Sequence, residues 1–269
     1  MCDTCGCNVS PADDGRTAVT VLQGLLSAND HQAAHNRAHF DAAGVLAVNL
    51  MSAPGAGKTA LLEATLDALG RELKVAVIEG DLETENDALR IRAKGVPAHQ
   101  ITTGSACHLD AHMIHDALHV LPIAGVDVLF IENIGNLVCP ASFDLGHHRN
   151  VVLLSVTEGD DKPAKYPVMF RTADLVLLTK ADLLPVLDDF DPVRAEGYLR
   201  RLANDAPIIT LSARKGLNLA AWLDWLRGEV ATHRNAHPVG TPLPAHVHHH
   251  HHSHTHPDDR HLHTTSPVG

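Results

Sequence analysis

The sequence predicts an α/β fold: a mostly parallel sheet flanked by helices, with metal-binding tails at both ends that are expected to be disordered. Three observations carry this expectation. Between residues 44 and 232, short runs rich in Val, Ile and Leu alternate with stretches of helical period, the pattern of buried parallel strands joined by crossover helices. One run ends in a glycine-rich turn that opens a helix. Cysteine and histidine crowd outside the alternating region: three of five cysteines fall in the first seven residues, and ten of 22 histidines lie between His246 and His263.

The elements follow in order. Residues 1–43 carry the cysteine cluster, a polar turn at 10–15, and a helical stretch over 17–42. Val21, Leu22, Leu25 and Leu26 share one face of that stretch, so it is expected to lead into the main domain and pack on it. Over 44–232, strands are expected at 45–51, 75–79, 98–101, 126–131, 151–156, 175–179 and 208–211. Helices are expected at 59–69, 84–94, 107–121, 192–204 and 218–231. Functional loops then belong at the carboxyl ends of the strands. From 233 to 269 the chain is Pro, Gly, Thr and His with almost no apolar side chains. Such a stretch cannot offset its chain entropy by burial.

Composition narrows the function. A chain of 269 residues, 45% hydrophobic but only 3% aromatic, builds its core from Leu, Val, Ile and Ala. A net charge of −11 argues against a general nucleic-acid binder and against a polybasic membrane-surface protein. No apolar run approaches the roughly 20 residues of a membrane span. The opening Met1-Cys2-Asp3-Thr4-Cys5 lacks the basic and apolar regions of a signal peptide, so a cytoplasmic location is expected.

The glycine-rich turn reads Ser52-Ala53-Pro54-Gly55-Ala56-Gly57-Lys58-Thr59 between a strand and a helix, the setting of a phosphate-binding P-loop. Gly55, Ala56, Gly57, Lys58, Thr59 and Ala60 are expected to cradle phosphate through backbone N–H groups and the helix N-terminus. Lys58 reaches the β- and γ-phosphates, and the Thr59 hydroxyl ligates Mg²⁺. Ser52 departs from the usual first glycine. Asp81 follows a strand and suits the Mg²⁺ shell or the attacking water. Glu132 ends another strand, ahead of Gly135, as the acidic residue that contacts the metal. Lys58, Asp81 and Glu132 are therefore the catalytic candidates. Thr179-Lys180-Ala181-Asp182 resembles the guanine-reading motif of GTPases, with Thr179 where Asn is usual. A carboxylate at Asp182 accepts from N1 and the 2-amino group of guanine, a donor pair that adenine lacks, so GTP is expected over ATP. Lys180, Asp182, Ser212 and Ala213 are the base-side residues.

Cys2, Cys5 and Cys7 form C-x-x-C-x-C, three soft ligands able to converge on one ion with the terminal amine as a fourth. Zn²⁺, Cu(I) and Ni²⁺ all suit this set, and a square-planar geometry favours nickel. Cys107, His108 and Cys139 lie within the nucleotide domain, and Cys139 stands seven residues beyond Glu132. A metal there would sense the γ-phosphate. The histidine run continues irregularly past five consecutive residues, unlike a purification tag, and suits loose binding of nickel, zinc or copper.

Taken together, these motifs resemble the HypB family of hydrogenase maturation GTPases. The resemblance covers the N-terminal Met1-Cys2-Asp3-Thr4-Cys5-Gly6-Cys7 motif and most of the chain from residue 49 to about 226. Its most specific parts are 49–62, 79–87, Cys107-His108, 132–140 and the stretch 157–167, Thr-Glu-Gly-Asp-Asp-Lys-Pro-Ala-Lys-Tyr-Pro. It implies a SIMIBI-class P-loop G domain that forms a GTP-dependent homodimer. It also implies nickel delivery to the [NiFe]-hydrogenase large-subunit precursor alongside the accessory protein HypA. By the same resemblance, Cys2, Cys5 and Cys7 form a tight nickel site, and Cys107, His108 and Cys139 a weaker nickel or zinc site near the dimer interface. In many relatives the histidine-rich stretch precedes the nucleotide domain, whereas here it follows it. Two further readings stand beside this one: a nickel storage or detoxification protein, motivated by the tail, and the related urease-maturation GTPase, against which the N-terminal cysteines and Cys107-His108 argue.

Overall fold

The computed structural model describes residues 15–81, 85–104 and 106–238, with side chains from residue 23 onward. Cys2, Cys5, Cys7 and the histidine run from His246 lie outside the described residues. Among the described residues there are seven strands: β1 (Leu46–Ser52), β2 (Val75–Asp81), β3 (Ala98–Thr102), β4 (Val128–Glu132), β5 (Arg149–Ser155), β6 (Leu175–Thr179) and β7 (Ile208–Thr210). They form one sheet in the order β3-β2-β4-β1-β5-β6-β7, and every pairing is parallel. The helices are α1 (Gly15–Ala43), α2 (Lys58–Leu69), α3 (Asn86–Ala93), α4 (Ala111–Val120), α5 (Lys162–Lys165), α6 (Pro167–Arg171), α7 (Pro192–Arg201) and α8 (Leu219–Ala236).

Alternation along each strand divides the core between two faces. Leu46, Val48 and Leu50 of β1, with Val128 and Phe130 of β4, meet α2 and α8 through Leu62, Leu66, Trp222 and Leu226. The intervening residues Ala47, Leu129 and Ile131 meet Phe40 of α1 and Ile114 of α4. Further along that second face, Val152, Leu154, Val176 and Leu178 pack on Met169, Phe170 and Leu199. Both faces are covered, so the strands read as apolar runs rather than half-polar ones. The Trp222 indole N–H donates to Thr65 Oγ1 at 2.8 Å, fixing α8 against α2 inside the first of these cores.

Helices α5 and α6 were not expected, and α7 ends at Arg201 rather than 204. Three further helices differ in ways that bear on the sites. The helix expected from 107 begins at Ala111, because the Asp110 carboxylate accepts from Met113 N at 2.9 Å and caps the first turn. Cys107 and His108 therefore lie in the β3–α4 loop. Helix α1 packs through Asn29, Ala33, Asn36 and Phe40, all buried, whereas Leu25 of the expected leucine face is 44% exposed. Asn36 donates to the carbonyls of Ala111 and Leu145, so polar capping of neighbouring loops sets that contact. Helix α8 continues past 231 to Ala236, since His233 is buried against His148 and Arg234 pairs with Asp127.

Strand β1 lies between β4 and β5. The connections before β5 build one side of the sheet and those after it build the other, so a crevice opens at the carboxyl end of β1.

Candidate nucleotide and metal sites

The turn after β1 occupies that crevice. Gly55 and Gly57 adopt φ of 73° and 101°, left-handed values that only glycine takes without strain. Gly57 precedes α2 with no side-chain cap, so the first amides of the helix are left for an anion. Ser52 is the last residue of β1, in ordinary strand conformation, which removes any need for glycine there. Its hydroxyl accepts from Lys58 Nζ at 3.2 Å and donates to the Ala53 carbonyl at 2.7 Å. A cleft of about 420 Å³ is lined by Gly55, Gly57, Lys58, Thr59 and Ala60 on one wall and by Asp81, Glu132 and Gly135 on the other.

The acidic wall is buried and poorly solvated. Thr59 Oγ1 donates to Glu132 Oε1 at 2.9 Å, and Lys58 Nζ lies 4.0 Å from the same oxygen. Glu79 stands directly across the β2–β4 ladder from Glu132. Burial, then the charge of Glu132, pushes the Glu79 carboxyl up to about 10, against the pull of Lys58. Burial raises Glu132 as well. Glu79 Oε1 and Glu132 Oε2 are buried without a hydrogen-bond partner. Orphaned carboxylate oxygens beside a threonine hydroxyl are the donor set that a hard cation such as Mg²⁺ takes.

On the other side of the loop, a pocket of about 220 Å³ brings together Ala56, Gly57, Ala60, Thr179, Lys180, Asp182, Ser212 and Ala213. Thr179 Oγ1 donates to the Ala56 carbonyl at 2.7 Å, so the residue that departs from the guanine motif ties β6 to the phosphate loop. Lys180 turns the chain at φ 57°, setting Asp182 on the turn that follows.

The two inner cysteines meet. Cys107 Sγ lies 3.0 Å from Cys139 Sγ and 3.8 Å from His108 Nδ1, and the three ligand atoms lie within 4.8 Å of one another. His108 is 3% exposed and stacks on Phe143 with ring centroids 3.9 Å apart. Burial lowers its pKa, keeping the imidazole neutral with a lone pair to offer. Val138, beside Cys139, is 59% exposed.

A single loop joins this group to the cleft. Asn133 Oδ1 accepts from Leu109 N and Ile134 N, and its amide donates to Asn49 Oδ1. A Cβ on Gly135 would lie 2.7 Å from Pro54 Cα, so this backbone rests on the phosphate loop. Asn136 Nδ2 donates to the Cys107 carbonyl at 3.2 Å. Residues 132–139 thus touch the phosphate loop at one end and the thiols at the other.

Several residues of these sites were not singled out from the sequence. Glu79 read as the end of a strand, and the signal that marks it is a carboxylate in a run otherwise apolar. Asn133 and Asn136 carried no local signal. Glu158 follows β5 with both carboxylate oxygens buried and unpartnered. Burial raises its pKa, against the Ser155 backbone first and then Lys162, Lys180 and Lys58. Arg90 lines the cleft but is held by Glu63 in two hydrogen bonds and by Asp87.

Comparison with known proteins places the chain in a family. Residues 46–210 match the family model described as CobW/HypB/UreG, nucleotide-binding domain. The hydrogenase maturation factor HypB of Azotobacter vinelandii is 54% identical over 216 residues, covering 80% of this chain and 71% of that protein. The hydrogenase/urease maturation factor HypB of Helicobacter pylori (strain 26695) is 45% identical over 212 residues, covering 77% and 86%. The crystal structure of HypB from Helicobacter pylori in complex with nickel superposes with a TM-score of 0.72 at 42% identity, over 80% of this chain and 99% of that one. The chain belongs to the HypB family of hydrogenase maturation factors.

Proposed function

We propose that this protein is a Mg²⁺-dependent GTPase that carries nickel and delivers it to the [NiFe]-hydrogenase large-subunit precursor. In this reading it acts with HypA and as a nucleotide-dependent homodimer. The observation that carries the proposal is the loop 132–139, which rests on the phosphate loop through Gly135 and holds the Cys107 carbonyl through Asn136. Any movement of that loop on γ-phosphate loss changes the position of Cys139 relative to Cys107 and His108.

In this reading the amides of 55–60 and Lys58 hold the β- and γ-phosphates. Thr59 and Glu132 hold Mg²⁺, with Asp81 at the rim of the same cleft. Bound there, Mg²⁺ would neutralise charge that builds on the phosphate oxygens. Asp182 accepts from guanine, and Thr179 keeps the base pocket in register with the phosphate loop. Arg90 is committed to Glu63 and Asp87, which leaves slow turnover and a timing role. Cys107, His108 and Cys139 bind nickel or zinc. Three ligands fall short of a closed tetrahedral set, and the exposed Val138 beside them supports completion across a dimer interface. Cys2, Cys5 and Cys7 bind nickel tightly. The family match and the nickel complex of the Helicobacter pylori relative support nickel as cargo.

The test uses the full chain with Cys2, Cys5 and Cys7 changed to Ser, so that thiolate-to-nickel charge-transfer absorption reports only Cys107 and Cys139. Nickel affinity is expected to differ severalfold or more between GDP and a non-hydrolysable GTP analogue, a coupling of about 1 kcal/mol or more. Equal affinities would leave a GTPase and a metal site that do not communicate, and the proposal would fall.

A further inference from the structure

A second group of metal-ligating side chains lies at the opposite end of the sheet, at the amino ends of β1 and β5. Asp41 belongs to the last turn of α1, and His148 immediately precedes β5. His233 lies in the last turn of α8, and His237 follows it at the helix end. His148 Nε2 is 3.0 Å from Asp41 Oδ1, and His237 Nδ1 is 3.5 Å from the same oxygen. The ligand atoms of Asp41, His148 and His233 lie within 4.8 Å of one another. The His233 ring stands 4.3 Å from that of His148 and 4.7 Å from that of His237, centroid to centroid. His233 is 7% exposed, and its Nε2 is buried with no hydrogen-bond partner.

We propose that Asp41, His233 and His237 form a site for a divalent transition-metal ion, in which His148 holds the Asp41 carboxylate in place. His148 itself is an unsuitable ligand. Its Nδ1 accepts the Ala47 N–H at 2.9 Å, so its one proton sits on Nε2 and points at Asp41. Binding metal through Nε2 would strip that proton. Donating it to the carboxylate instead is how a neighbouring group orients a metal ligand. The lone pair that the fold leaves without use is on His233. Ligands of one ion with bonds of about 2.0–2.2 Å stand roughly 3–3.5 Å apart. Asp41 and His237 stand at that separation, the ligand atoms of Asp41 and His233 lie within 4.8 Å, and binding would draw the His233 and His237 rings, 4.7 Å apart, onto one ion.

The chemistry selects the ion class. Two imidazoles and one carboxylate suit Ni²⁺, Zn²⁺ or Co²⁺, whereas Mg²⁺ prefers an all-oxygen shell. Burial, then the neighbouring His237, lowers the pKa of His233 and keeps it unprotonated near neutral pH. The site lies at the end of α8, the helix after which the sequence runs on to the histidines from His246. A three-ligand site leaves a coordination position open, so an ion carried by those imidazoles can be taken up here by ligand exchange. The site shares no residue with the nucleotide cleft or with Cys107, His108 and Cys139.

Position rather than stoichiometry distinguishes this site from the histidine run. Crystals of the full chain grown with Ni²⁺ are expected to show an anomalous difference peak at the nickel edge, within bonding distance of Asp41, His233 and His237. His237 is half-exposed, so His237→Ala is expected to fold and to lose that peak while keeping the one at Cys107, His108 and Cys139. Equilibrium dialysis of the same variant should count one Ni²⁺ fewer per chain. His148→Gln is expected to keep the peak but to weaken Ni²⁺ binding at this site by about 10–100-fold. No peak here while the cysteine site is occupied, or an unchanged count and map in His237→Ala, would overturn the proposal.

Discussion

Gly135 and Thr179 show how single residues tie the nucleotide site together. Gly135 has no room for a side chain, since a Cβ would stand 2.7 Å from Pro54 Cα and 2.9 Å from Pro54 N. Both neighbours are backbone, so the phosphate loop itself must shift. Gly135→Ala is expected to weaken GDP binding by about 5–150-fold, the range of an overpacking cost of about 1–3 kcal/mol. Fluorescent-GDP titration checks this, and wild-type affinity would mean that the loop yields freely. Thr179→Val removes the buried donor to the Ala56 carbonyl while keeping the shape of the side chain. It is expected to cost about 1–3 kcal/mol in chemical unfolding, and an unchanged midpoint would leave Thr179 as mere filling. The phosphate-loop residues were legible because their chemistry demands a local pattern. Glu79 and Asn133 were not, because each meets residues far away in the chain that only the fold brings near.

At the scale of elements, the strands were legible nearly to the residue and the helix ends were not. A strand buried on both faces announces itself as an apolar run, and β1, β2 and β6 begin or end within two residues of expectation. Helix ends depend on capping, which is a contest between side chain and backbone. Asp110 settles it for α4 by accepting from Met113 N, and this releases Cys107 and His108 into a loop that reaches Cys139. Leu25 of the expected α1 face is exposed for a related reason: Asn29 and Asn36, polar residues in the sequence, are buried instead, since each caps backbone groups of neighbouring loops. Asp110→Ala is therefore expected to cost about 1 kcal/mol of stability. Urea unfolding measures it, and a cost near zero would mean that packing alone fixes the start of α4.

For the molecule as a whole, burial of histidine makes stability depend on pH. His147 lies just before β5, beside Arg37 of α1, and is 7% exposed, with Leu145 N donating to its Nδ1 at 3.4 Å. Burial depresses its pKa from 6.5 to about 4, although Asp144 pulls the other way. The sign follows from proton counting. Between pH 6.5 and about 4 the unfolded chain binds a proton at this position and the folded chain does not, so acid favours unfolding throughout that window. The contribution is fully present above pH 6.5, declines as pH falls, and levels off below about 4, where both states are protonated. His148 shares the direction and the approximate value, again from burial first and then from the charge of His233. Paired carboxylates such as Asp160 with Arg194 are held below their ordinary pKa and lose their contribution only in stronger acid. The metal-free protein should therefore lose stability between pH 6.5 and 4.5, before those ion pairs titrate. In His147→Gln, which carries no titrating ring, the slope of unfolding free energy against pH over this window should fall by up to about 1.4 kcal/mol per pH unit. Urea unfolding at half-unit pH steps in the presence of a chelator reads that slope directly. Parallel slopes for the two proteins would mean that His147 titrates alike in the folded and unfolded chain, and that other groups, His148 and the carboxylates among them, set the acid limit.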